Sequence, residues 1–180
     1  MKKANPASFA RYRAAVEQAR AYDRCAAVGG AAAKTACYID KALANVGAVM
    51  LENVSGAVST ELDPRDAHDA AALVARGRQV AGFYKDLGVP PERVLVRMPA
   101  TWAAVTAARA LEAEGISCHL VLVYAFSQAV AAAAAGVKVV QPNVGRLADY
   151  YDSEFSCVLD RPVEAENVPE TNQPTNHSQN

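Results

Sequence analysis

This chain has no long hydrophobic run. Its longest weakly polar stretch, Ala129 to Val140, is mostly alanine and is broken by Gly136 and Lys138, so it is too short and interrupted to span a bilayer. Excess charge is missing too. Eighteen Lys+Arg against 19 Asp+Glu leave a formal net charge of -1, which argues against a nucleic-acid or anionic-membrane partner. Lys2 and Lys3 are not followed by the apolar segment of about 7–15 residues that a secretory signal needs, and no organellar transit peptide is evident. Cysteine is sparse: Cys25, Cys37, Cys118 and Cys157 include no redox CxxC and no metal-pair spacing. These features predict reduced, mostly buried thiols in a cytoplasmic compartment. Of the three histidines, His68 and His177 are expected to be solvated. His119 has no cysteine or carboxylate at ligand spacing, so neither a metal nor a cofactor is expected.

What is present is alternation between helix-like and strand-like segments within one domain-sized chain of 180 residues. Phe9, Tyr12, Val16 and Ala19 follow a helical spacing, and Ile39, Leu43, Val46 and Met50 repeat it. A looser stretch, Asp23 to Ala33, lies between them, and Asn53 to Gly56 ends the second helix. Ala57 to Leu62 reads as a strand. Asp63 as N-cap with Pro64 behind it predicts a helix whose inner face is Leu73, Gly77, Val80, Tyr84 and Leu87, closed by Gly88. Val94 to Met98 is a second strand. Thr101 caps a helix to Glu114, which Gly115 ends. Cys118 to Tyr124 and Val137 to Gln141 are further strands around the alanine-rich helix, and Val144 to Tyr150 opens another helix. Strands spaced by helices of this length predict parallel βαβ units in an α/β fold. From Ser153 the character changes, and 153–180 is expected to be a polar, disordered tail behind a folded part spanning 1–152.

Several segments carry a resemblance in order and spacing. Val58-Ser59-Thr60-Glu61-Leu62-Asp63-Pro64-Arg65, Val94 to Trp102, Gly115 to Gln128 and Gly136 to Tyr150 resemble the third to sixth barrel strands of the transaldolase family. Asn5-Pro6 resembles the end of its second strand. The match runs from about residue 4 to about residue 152. The resemblance implies a (β/α)8 TIM barrel, here partial, with about four to five of the eight parallel strands. It further implies an ancestry in the pentose phosphate pathway and a sugar phosphate as ligand. Complete barrels of this kind need about 250 residues. The family's first strand, with a catalytic aspartate, and its seventh and eighth strands are accordingly expected to be missing here.

The resemblance also assigns roles residue by residue. Asn5 matches an active-site asparagine, and Glu61 a glutamate that manages protons and water near the Schiff base. Arg146 matches an arginine on the substrate phosphate, at a helix start suited to that contact. Arg97 stands where the family has its Schiff-base lysine. A guanidinium stays protonated and cannot supply the neutral amine that a Schiff base requires. Val121 replaces a threonine that positions water, Gln141 and Asn143 replace a serine and an aromatic residue, and His119 replaces an asparagine. Lys138 is expected to point toward the helix layer. Trp102 is expected to pack, and Glu61 to be a buried carboxylate paired with Arg97.

These residues predict a transaldolase-like protein without Schiff-base catalysis, serving as a binding or assembly subunit. The alternative is an active transaldolase that moves a dihydroxyacetone unit from sedoheptulose 7-phosphate to glyceraldehyde 3-phosphate. Open barrel edges expose backbone groups, so self-association or a protein partner is expected to cover them.

Overall fold

A computed structural model describes residues 6–143, all within one unit that ends at Asn143. The expected helix at Val144 to Tyr150, the tail at 153–180, Asn5, Arg146, Cys157 and His177 lie outside the described residues. The elements are α1 (Pro6–Arg20), α2 (Asp23–Ala26), α3 (Ala31–Leu51), β1 (Val58–Glu61), α4 (Ala70–Asp86), β2 (Val94–Pro99), α5 (Trp102–Ala113), β3 (Cys118–Val123), α6 (Phe126–Ala134) and β4 (Val139–Pro142). The four strands form one parallel sheet in the order β1-β2-β3-β4. The alternation read from the sequence is therefore present, strand for strand.

Each strand has two unlike faces, because side chains alternate. Val58 and Thr60 of β1, Val94, Val96 and Met98 of β2, and Cys118 and Leu120 of β3 are buried, and together with Leu73, Val80, Ala104, Ala108 and Leu111 they form the core. The opposite face carries Ser59 and Glu61, then Leu95 and Arg97, then His119. Register fixes one row across it: Glu61 beside Arg97, Arg97 beside His119, and His119 beside Val139.

Caps set the helix starts. Thr101 accepts a hydrogen bond from the Ala104 amide at 3.1 Å, and Gly115 stops that helix in a left-handed conformation (φ +80). The helix expected to start at Asp63 begins later. Asp63 caps only a single 3-10 turn, Pro64–Asp66, and Asp69 caps α4 by accepting from Ala72 N at 2.9 Å. Its inner face is Leu73, Gly77, Val80 and Tyr84 as expected, but Leu87, the C-cap, is exposed.

The faces of the first two helices differ from their periodic reading. Ala15 and Ala19 are buried in α1, whereas Tyr12 and Val16 are exposed. In α3 the buried residues are Cys37, Asp40, Lys41, Ala44, Asn45, Gly47 and Leu51, while Ile39, Leu43 and Met50 are exposed. The small residues win because they permit close approach: Asn45 Nδ2 reaches the Ala15 carbonyl at 2.9 Å. Gly47 leaves room for the Tyr84 hydroxyl, which a Cβ at that position would strike. Tyr84 in turn bonds Thr60 Oγ1 at 2.5 Å, tying α4 to β1. The acidic member is paired: Arg76 holds Asp40 at 2.8 Å and also reaches Asp66 at 2.6 Å.

The thiol expectation is overturned at one pair. Cys25 and Cys37 are joined as a disulfide between α2 and α3. Cys118 is a buried free thiol whose pKa is pushed up to about 12 by burial and then by the Glu112 charge. A spacing of 12 residues carries no signal of pairing in sequence; only the antiparallel return of the chain across Gly29-Gly30 brings the two together.

Candidate functional site

The inner row of the sheet is where the chemistry-bearing side chains gather. Ser59 Oγ of β1 and His119 Nδ1 of β3 are 2.8 Å apart, so the imidazole reaches over β2. His119 is 9% exposed. Burial first, and the neighbouring Arg97 charge second, lower its pKa, with the Gln141 side chain pulling weakly the other way. Burial and the Arg97 charge thus favour the neutral ring. Its Nε2 and the Arg97 Nε are both buried without a hydrogen-bond partner. Each such atom costs about 1–3 kcal/mol if nothing pairs with it.

Glu61 departs from its expectation. It is exposed, and although it is the register partner of Arg97, no ion pair joins the two: the ion pairs among the described residues engage other groups. The reason is geometric. Glu61 is the last residue of β1, on a strand whose other edge has no neighbour among the described residues, so water hydrates the carboxylate in place of the guanidinium.

Gln141 is exposed on β4, near His119. Asn143 lies just beyond β4. Its side-chain amide donates to Tyr124 Oη at 3.2 Å and its backbone N–H to the Val123 carbonyl at 3.2 Å, so it closes the end of β4 onto β3 and takes no part in the Arg97 row. Val121, buried, offers no polar group. After it Leu122 is left-handed (φ +58) where β3 and β4 slip out of register, a strained bulge at the strand end. The Gln128 side chain frames this end: it accepts from the Tyr124 and Ala125 amides at 2.9 and 3.0 Å and donates to the Ala100 carbonyl at 2.9 Å. At the other end Glu112 accepts from the Cys118 and Lys138 amides at 2.7 and 2.9 Å, fixing where β3 and β4 start.

Trp102 does not pack; it is 78% exposed, and Phe126 is 85% exposed. Both are first residues of their helices, where a side chain projects beyond the helix layer. His68 is exposed as expected.

Among the described residues the inner row carries no lysine. Lys34 and Lys41 belong to α3, Lys85 to α4, and Lys138 precedes β4 and donates to Ser117 Oγ at 3.1 Å. Lys41 has one property of a reactive amine, a pKa lowered by burial. Its ammonium, however, lies 4.7 Å from the Tyr22 ring centre and 5.5 Å from that of Phe83, among helices. Spacing alone does not mark this residue, since it falls on the polar side of the apparent helical pattern. Among the described residues no group of three or more His, Cys, Asp or Glu is arranged to hold a metal.

Parallel strands alternating with helices, with polar side chains concentrated on the face turned from the helices, define an α/β barrel-type protein. The model of the Transaldolase/Fructose-6-phosphate aldolase family matches residues 4–173, and the chain belongs to that family. Its four parallel strands are part of a (β/α)8 barrel. It is 38% identical over 148 residues to a probable transaldolase of Dictyostelium discoideum, covering 82% of this chain and 46% of that protein. It is 45% identical over 127 residues to a transaldolase of Methylibium petroleiphilum, covering 71% and 40%. With a transaldolase of Edwardsiella ictaluri it shares 37% over 161 residues, covering 87% and 50%. The chain thus spans about half the length of the curated relatives it matches.

Proposed function

We propose that this chain is a transaldolase-like protein without Schiff-base catalysis, acting as a binding or assembly subunit. The observation that carries this reading is Arg97 on the inner row, with the four lysines of the described residues all elsewhere. By resemblance Arg97 occupies the Schiff-base lysine's position, and an arginine keeps its proton where the reaction needs a free amine. Glu61, Gln141 and the residues outside the described part, Asn5 and Arg146, are the groups left for a sugar phosphate. Exposed Ile39, Leu43, Met50 and Val54 on and just after α3, together with the unpaired outer edge of β1 among the described residues, support coverage by a second copy or a protein partner.

Identities of 36–45% to proteins named transaldolase favour a second reading, an active transaldolase acting between sedoheptulose 7-phosphate and glyceraldehyde 3-phosphate. It requires an amine other than the described ones, or a second chain that supplies it. A cytoplasmic setting is the family-like proposal for either reading. No described helix is long and apolar enough to cross a membrane, but the Cys25–Cys37 bond removes the support that four reduced thiols gave to the cytoplasm.

Borohydride treatment with fructose 6-phosphate, followed by intact-mass measurement on folded protein, separates the two. The first reading expects no reduced sugar adduct on the natural chain and an adduct once Arg97→Lys is made. An adduct on the natural chain overturns it.

A further inference from the structure

The unpartnered nitrogens of Arg97 and His119 belong to adjacent strands at one register position. Ser59 holds the other imidazole nitrogen at 2.8 Å, so the ring cannot turn to satisfy Nε2 without breaking that contact. The Ser59 contact accommodates either tautomer; when the hydroxyl donates to Nδ1, Nε2 carries the hydrogen. Two N–H donors, one on a permanent cation, then face the same side of the sheet, with no hydrogen bond formed at either nitrogen and the Gln141 side chain beside the imidazole. We propose that this row binds a small monocarboxylate, whose oxygens accept from Arg97 and from His119 Nε2. This goes beyond the loss of Schiff-base chemistry and does not rest on it.

The class of ligand follows from the neighbours. A carboxylate matches the planar guanidinium. Glu61, one strand away in the same row, repels any anion, and a dianion twice as strongly as a monoanion, which sets carboxylate above phosphate. Gln141, beside the imidazole, offers a donor and an acceptor to a hydroxyl, so a short hydroxy acid suits the row best. Both nitrogens are closed to solvent while the Arg97 side chain as a whole is half-buried. Entry therefore requires the long guanidinium arm to swing, and its unpaired Nε makes the starting position costly to keep.

The test follows the His119 ring 15N resonances of the full chain while glycolate is added, with inorganic phosphate and chloride as parallel titrants. The proposal expects a saturable shift of Nε2 with half-saturation in the range of about 1–10 mM glycolate, weaker binding of phosphate, and no saturation by chloride. Arg97→Gln abolishes the glycolate response. If that variant does not fold by circular dichroism, Arg97→Lys, which keeps the cation and drops Nε–H, is expected to weaken it by about tenfold. No saturable shift on folded protein, meaning that water alone serves these atoms, overturns the proposal. So does tighter binding of phosphate, or an unchanged response in a folded Arg97 variant. A borohydride adduct at any lysine bears on the catalytic reading and leaves this result standing.

Discussion

Ser59 Oγ and His119 Nδ1 meet at 2.8 Å although β2 lies between their strands. Adjacent strands are about 4.8 Å apart, so the contact spans two inter-strand gaps and requires the sheet to curve toward its polar face. The contact fixes the imidazole orientation. Replacing Ser59 with Ala is expected to cost about 0.5–1.5 kcal/mol in urea unfolding. It should also convert a single His119 tautomer into a mixture, visible in the ring 15N shifts. An unchanged tautomer would mean that the ring is held by packing alone.

The same histidine gives a pH dependence with a definite sign. Its folded pKa is depressed by burial and by Arg97, so the unfolded chain binds its proton first as pH falls. Stability contributed by the neutral ring is complete above the ordinary value of about 6.5 and is lost from there down to the folded pKa. His119→Asn is expected to flatten the stability profile from about pH 6.5 downward. A profile that keeps its slope in the variant assigns the effect to another group.

The strands were legible in the sequence because each is a short apolar run bounded by Gly, Pro or a capping residue. Val94 to Pro99 and Cys118 to Val123 fall within a residue of their expected limits. The faces of α1 and α3 were not, because periodicity marks the apolar stripe and cannot tell packing against this sheet from exposure. Ile39, Leu43 and Met50 have the right spacing and are exposed, while Ala44 and Gly47 touch their neighbours. For the site, the sequence placed Arg97, Glu61 and Gln141 on strands but carried no information on pairing. Whether Glu61 reaches Arg97, or His119 reaches Ser59, depends on curvature and hydration at the strand ends, which no residue spacing encodes.

Arg76 joins α4 to α3 through Asp40, and both side chains are largely buried, at 13% and 4% exposure. Asp40 has a raised pKa, because burial outweighs the stabilising pull of Arg76. Removing the guanidinium alone leaves that carboxylate without its counterion, so Arg76→Leu is expected to destabilise by about 3–5 kcal/mol. Adding Asp40→Leu should recover much of the loss. Chemical denaturation of the two single variants and the double variant measures this directly; simple additivity would show that the pair is not coupled.

Gly47 and Tyr84 form a second α3–α4 contact, with the tyrosine hydroxyl lying over the glycine and bonded to Thr60. A methyl group there must displace the ring and break that bond. Gly47→Ala is expected to lose about 1–3 kcal/mol despite the better helix propensity of alanine. Pairing it with Tyr84→Phe, which removes the obstructing oxygen, should recover part of the loss, whereas a loss that stays the same would place the clash elsewhere.

The Cys25–Cys37 bond closes a short loop between α2 and α3, and closing a loop of this size stabilises by about 2–3 kcal/mol through the unfolded chain. Dithiothreitol is therefore expected to lower the melting temperature, and Cys25→Ser with Cys37→Ser to lower it by a similar amount and abolish the effect of the reductant. Cys118 gives an internal control. With its thiol pKa pushed up to about 12 and its side chain in the core, it has almost no thiolate at pH 8. Iodoacetamide with peptide-resolved mass analysis should leave Cys118 unmodified in native protein, label Cys118 in denaturant, and label Cys25 and Cys37 only after reduction. Labelling of Cys25 and Cys37 without reduction would mean the pair is not bonded, and would return the support for a cytoplasmic setting that the bond removes.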